Sequence, residues 1–127
     1  MFAVDTSSLV AFFHDEAGRD VEAVAVALEE SCAVFSPVVL TELLSDHKLS
    51  REVVSLVKSL PILEIKAGYW ERAGLLRAKI LKKGLKAKLA DTLIAQNCID
   101  HGLALITRDE DFRAYAKYAE LRLVVGS

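Results

Sequence analysis

Apolar and polar positions along this chain change period in short blocks. Met1 to Asp5 forms an apolar run closed by a carboxylate and predicts a short buried strand. Thr6 to Phe13 follows as a helix carrying Leu9, Val10, Phe12 and Phe13, and Val21 to Glu30 as another, with Val21, Val24, Ala25 and Leu28 at helical spacing. Ala33 to Ser36 predicts a brief strand ended by Pro37, which suits the first turn of a helix running to about Asp46. Ser50 can cap the free amides of a helix carrying Val53, Val54 and Val57, and Pro61 breaks that helix. Ile62 to Ile65 is a candidate strand, and Ala67 to Lys83 a long helix stopped by Gly84. A helix from about Lys88 ends at His101-Gly102, where glycine takes the left-handed C-terminal position with little strain. Leu103 to Thr107 predicts a strand, Asp109 to Lys117 a helix, and Leu121 to Val125 a last strand.

Strands alternating with helices imply an α/β fold in which a mainly parallel sheet is covered on both faces. In such sheets the functional crevice lies beyond the carboxyl ends of the strands. A chain of 127 residues fits one compact domain, and 53% hydrophobic residues are enough for a well-buried interior. No repeat or linker interrupts it. No apolar run approaches the roughly 20 residues of a membrane helix, and the start does not read as a signal peptide, so a soluble cytoplasmic protein is expected. Cys32 and Cys98 lie far apart among apolar neighbours and are expected as free thiols.

Against this apolar background, certain carboxylates stand out. Asp5 and Asp109 each follow a predicted strand, which places them at the sheet's carboxyl edge. On a helical wheel Glu42 lies about 60° from Val39 and about 40° from Val38, inward or at the margin of an apolar arc. Asp91 comes early in a helix apolar on most sides, near its positive end. Each has a plain structural role open to it: Asp5 and Asp109 as helix caps, Asp91 as a first-turn acid, Glu42 as the partner of a Lys or Arg. If they converge, their repulsion raises their pKa values or splays the site unless a divalent cation neutralises it. Ligation by oxygen alone selects Mg2+ or Mn2+ over zinc.

Charge is unevenly distributed. The net charge is only -2, but residues 1 to 47 hold nine acids and one base, whereas residues 72 to 90 hold seven cations and no acid. Those cations are Arg72, Arg77, Lys79, Lys82, Lys83, Lys86 and Lys88. Such a stretch is either a solvated helix face or a bed for a polyanion held by Lys79, Lys82, Lys83, Lys86 and Lys88.

Asp5-Thr6-Ser7-Ser8, Thr41-Glu42-Leu43, Leu89-Ala90-Asp91-Thr92-Leu93-Ile94-Ala95 and Leu105-Ile106-Thr107-Arg108-Asp109-Glu110-Asp111-Phe112 together resemble the PIN-domain ribonucleases, particularly the stand-alone VapC-type toxins. The resemblance spans residues 1–127 as a single nuclease domain and is most specific in its last two segments. It implies a five-stranded parallel sheet between helices and a pocket that uses Mg2+ or Mn2+ to hydrolyse RNA. It assigns Asp5, Glu42, Asp91 and Asp109 as catalytic and metal-binding acids, with Asp111 a further ligand and Thr6, Ser7 and Thr107 as supporting hydroxyls. Metal-activated water needs no protein nucleophile, so His14, His47 and His101 are expected at the surface. Tyr69, Trp70, Tyr115 and Tyr118 are expected in core or dimer packing. The resemblance further implies an RNA substrate, a cognate antitoxin protein and a homodimer. A housekeeping RNA-processing nuclease of the same fold and a non-catalytic metal- or RNA-binding module are the alternatives. A receiver domain would need a second acid beside Asp5 and a lysine after the last strand, and a haloacid-dehalogenase-type phosphatase would need an aspartate where Ser7 stands.

Overall fold

Ala3 and Val4 are almost completely buried in β1 (Phe2–Val4), the strand around which the rest of the chain is arranged. The structure, a computed structural model, describes residues 1–124. Within them, β2 (Ala33–Val34), β3 (Leu105–Ile106) and β4 (Leu123–Val124) join β1 in a parallel sheet of order β2-β1-β3-β4. The strands are shorter than the apolar runs that contain them, and Val125, expected in the last strand, lies outside the described residues.

Four strands rather than five make up this sheet among the described residues. The expected strand Ile62 to Ile65 makes only an isolated parallel bridge between Ile62 and Phe35, with the Phe35 amide donating to Pro61 at 3.2 Å and the Leu63 amide to Phe35 at 3.0 Å. A longer ladder has nothing to pair with. β2 stops at Val34, and Ser36 already caps the next helix by accepting from the Val38 amide.

The helices are α1 (Thr6–Phe13), α2 (Arg19–Glu29), α3 (Pro37–Leu44), α4 (Arg51–Ser59), α5 (Tyr69–Lys82), α6 (Leu89–His101) and α7 (Arg113–Tyr118). Their ends follow local chemistry. Pro37 opens α3, the Ser50 hydroxyl accepts from the Val53 amide at 3.2 Å to cap α4, and Gly102 closes α6 at φ 63°. The helix expected from Asp109 instead starts as a 3-10 turn, Glu110–Phe112, which continues into α7. No helix among the described residues is long and apolar enough to cross a membrane.

Topology positions the site. The chain leaves β1 through α1 and α2 toward β2 on one side, and leaves β3 toward β4 on the other. The crevice between adjacent strands whose connections diverge is where open parallel sheets bind ligands. The register pairs Val4 with Ile106, and the Asp5 amide donates to Ile106 at 2.9 Å, so Asp5 and Thr107 emerge side by side at that crevice. Beneath it Leu9, Phe35, Ile94, Leu105, Phe112 and Tyr115 are fully buried. Tyr69 and Tyr115 occupy the core as expected, whereas Trp70 is exposed. Cys32 and Cys98 are free, His14 and His47 are exposed, and half-buried His101 bonds the Glu64 carbonyl.

Candidate metal centre

Asp5 ends β1 and is 4% exposed, with its Oδ2 accepting from Ser7 Oγ at 2.6 Å and Thr107 Oγ1 at 2.8 Å. Burial raises its pKa above the usual carboxylate range, and the two hydroxyls only partly offset that. Thr107 also accepts from the Asp109 amide at 3.0 Å, and the Arg108 amide donates to Ser7 at 3.4 Å. One hydroxyl network thus joins the exits of β1 and β3.

Asp91 lies in the first turn of α6, where free amides and the helix dipole favour negative charge. One oxygen each from Asp91, Asp109 and Asp111 falls within 4.8 Å of the others. Asp109 reaches this cluster while capping the 3-10 turn, its Oδ1 accepting from the Asp111 amide at 2.9 Å, so its plain structural role and its place in the site coexist. Asp91 has its pKa pushed up to about 6, first by burial and then by repulsion from Asp109 and Asp5, with Lys88 opposing. Octahedral ligands about 2.1 Å from a Mg2+ ion lie about 3 to 4 Å from one another. Small side-chain rotations would let these oxygens meet on one ion, and carboxylates without histidine or cysteine suit a hard cation.

Glu42 stands apart from that cluster. It is exposed on α3, where Val39 and Leu43 are the buried residues, and its Oε1 accepts from Thr6 Oγ1 at 2.8 Å. The expected apolar arc is narrower than the wheel implied, because Leu44 is also exposed. Glu42 therefore has neither an inward position nor a desolvation cost, and it connects to the site through the residue after Asp5.

The basic stretch divides by role. Arg72 is tied to Asp100 at 2.7 Å, and Arg77 donates to the Ala87 carbonyl at 2.8 Å. Ala87 is buried, and Lys86 and Lys88 on either side of it reach Asp111 at 3.3 and 3.7 Å. Lys83 covers the Tyr118 ring at 4.4 Å, whereas Lys79 and Lys82 are exposed on the last turns of α5. Lys86 and Lys88 thus adjoin the acidic pocket, and the two arginines hold their scaffold.

Pattern reading missed the support behind the pocket. Asp20, 1% exposed in the first turn of α2, accepts from Ser8 Oγ and from Arg108 Nε. The bond from Arg108 holds its carboxyl below the usual range despite burial. One signal was present in the sequence: Arg108 lies between Thr107 and Asp109, two of the candidate site residues.

A parallel α/β sheet thus carries, at its topological switch point, a cluster of three carboxylates that could hold a divalent cation. The PIN domain model matches residues 2–118, and the chain belongs to that family. Sequence comparison with curated proteins gives no significant match. Among solved structures, the chain is similar to one in VapBC2 from Rickettsia felis bound to a promoter DNA fragment, at 24% identity and TM-score 0.75, covering 99% of this chain and 98% of that one. A chain of VapBC-5 from Mycobacterium tuberculosis, a member of the VapBC family of toxin-antitoxin systems, matches at 18% identity and TM-score 0.67 over 97% of this chain and 96% of that one. A chain of FitAcB from Neisseria gonorrhoeae matches at 20% identity and TM-score 0.72 over 98% and 97%. At these identities the likeness is one of fold.

Proposed function

We propose that residues 1–127 form one nuclease domain that hydrolyses RNA with a divalent metal ion and acts as the toxin of a type II toxin-antitoxin pair. The observation that carries this reading is the convergence of Asp91, Asp109 and Asp111 beside buried Asp5 at the switch point of a PIN-family sheet. Asp91, Asp109 and Asp111 would hold the ion, with Asp5 and Glu42 completing the set of site acids. Bound there, Mg2+ or Mn2+ supplies an activated water for in-line attack on phosphorus and neutralises charge developing on the departing oxygen.

The chain's own residues supply orientation and charge. Ser7 and Thr107 fix the Asp5 carboxylate by bonding one of its oxygens, which limits the rotation left to the other. Thr6 does the same for Glu42. Lys86 and Lys88 border the pocket, so an RNA backbone following the lysines from Lys79 and Lys82 past Lys83 would arrive at the acids with its phosphates partly neutralised. Metal-activated water would need no protein nucleophile.

The toxin role and the antitoxin partner rest on likeness to VapBC-5, itself a member of a toxin-antitoxin family. Exposed Trp70 and Leu75 on α5 support apolar contact with a second copy, and a homodimer is proposed on that basis. The purified chain, incubated with a random-sequence RNA pool, is expected to cleave it internally in millimolar Mg2+ or Mn2+ and to stop when the ion is chelated. Cleavage that persists in chelator, or an RNA pool left intact in both ions, would overturn the nuclease reading.

A further inference from the structure

Arg108 is a cation on the loop that carries the site residues, between Thr107 and Asp109. Its guanidinium bonds elsewhere. Nε donates to Asp20 Oδ2 at 2.8 Å and Nη2 to Asp20 Oδ1 at 3.1 Å, a two-pronged grip on a carboxylate that is 1% exposed. Nη1 donates to Glu16 at 3.0 Å and Nη2 also to the Ala17 carbonyl at 3.0 Å. Asp20 in turn accepts from Ser8 Oγ at 2.9 Å, while the Arg108 amide reaches Ser7 Oγ at 3.4 Å. Neighbouring serines in the first turn of α1 are therefore held by Arg108, one by its backbone and the other through Asp20.

This arrangement connects three segments that the topology leaves separate: the start of α1, the α1–α2 corner with the first turn of α2, and the loop leaving β3. That loop carries Thr107 and Asp109, and the start of α1 follows Asp5. Carboxylates that repel one another tend to drift apart. A fixed frame behind them opposes that drift, and two-pronged grips on a planar guanidinium fix orientation as well as distance.

We propose that Arg108 and Asp20 form a positioning clamp that fixes the loop carrying Thr107 and Asp109 against the N-terminus of α1, so that the site acids meet at ion-binding distance with the guanidinium kept out of the pocket. The proposal rests on the metal-dependent reading above. Residues that orient metal ligands without touching the ion change affinity by about 10- to 100-fold when replaced. The clamp is assigned that role.

The test uses the full chain carrying Arg108→Met, Arg108→Lys or Asp20→Asn, with two readouts. The first is Mn2+ affinity from the paramagnetic signal of the free ion. The second, in metal-free protein, is hydrogen exchange at the Asp109 and Asp111 amides, which donate to Thr107 Oγ1 and Asp109 Oδ1. Arg108→Met is expected to weaken Mn2+ binding about tenfold or more and to speed exchange at these amides while those of α6 keep their protection. Arg108→Lys should recover part of both losses, since an ammonium reaches Asp20 but cannot span Glu16 and Ala17 as well. If Arg108→Met does not fold, Asp20→Asn decides, because it keeps one acceptor oxygen for Ser8 and Arg108 Nε but loses the charge and replaces the oxygen facing Arg108 Nη2 with an N–H donor, so the two-pronged grip is broken. Unchanged Mn2+ affinity with unchanged exchange at Asp109 and Asp111 would overturn the clamp, as would a uniform rise in exchange across the chain. Wild-type protein that binds no Mn2+ would sink the metal-dependent reading instead, and the exchange readout would still decide whether the clamp orders the loop.

Discussion

Asp91→Asn should remove metal-dependent RNA cleavage and, in metal-free buffer, make the protein more stable. The loss of activity should be about a hundredfold at least, because replacing residues that merely orient metal ligands already costs about 10- to 100-fold. Asparagine keeps the volume and removes the charge. The gain in stability follows from repulsion and burial, which push the Asp91 carboxyl up to about 6 from 3.8. A carboxyl with a folded pKa above its unfolded value binds more protons in the folded state between those values. Its contribution is therefore present below about pH 4 and lost as pH rises through about 6. The cost at neutral pH is of the order of 1–2 kcal/mol once solvent screening at this half-buried position is allowed for. Thermal midpoints measured in chelator should fall from about pH 4 to about pH 6.5 in wild type and fall less steeply in Asp91→Asn, leaving the variant a few degrees above wild type at pH 7. Parallel pH profiles for the two proteins, or wild-type turnover by the folded variant, would remove Asp91 from the site.

Phe112→Ala should produce the largest loss of stability of any substitution near the pocket. Phe112 is fully buried at the end of the 3-10 turn, its ring centroid 6.1 Å from that of Tyr115, and it follows Asp111 directly. Truncating a buried phenylalanine costs about 3–5 kcal/mol, roughly 10–20 °C in midpoint for a chain of this size. Because the same turn carries Asp109 and Asp111, Mn2+ affinity should fall together with stability. Phe112→Leu keeps most of the apolar bulk and should lose less of both. A midpoint within two or three degrees of wild type in Phe112→Ala would mean that the aromatic residue closing the Asp-x-Asp-Phe sequence is not the anchor of the acidic turn.

Much of this arrangement was legible in the sequence, and the parts that were not share a physical reason. Pro37, Ser50 and Gly102 marked helix ends correctly because capping and left-handed glycine act within a few residues of chain. Asp5 and Asp109 were placed at the sheet edge by order alone, and the structure puts them on the exits of neighbouring strands. Ile62 to Ile65 had the composition of a strand but lacked a partner beyond Phe35, and pairing is a property of two segments. Glu42, expected inward or at the margin of an apolar arc, is exposed, because full burial on α3 reaches only Val39 and Leu43 while Val38 and Leu40 are partly buried, which depends on what packs there. The Asp20–Arg108 pair joins residues 88 positions apart, beyond the reach of periodicity. Lys86 and Lys88 were singled out for their charge, but their approach to Asp111 depends on a loop pinned by Arg77 and buried Ala87.

On the metal-dependent reading, the carboxylates at the switch point bind a hard divalent cation and use it to cleave RNA. A Mn2+ titration followed by the paramagnetic signal of the free ion, on wild-type protein and Asp91→Asn under the same conditions, tests it most directly. Wild type should show saturable binding over the Mn2+ concentrations that switch on RNA cleavage, and Asp91→Asn should lose that binding while keeping its fold. Equal binding by both proteins, or no binding by wild type at concentrations that support cleavage, would rule out a metal-using site built on Asp91.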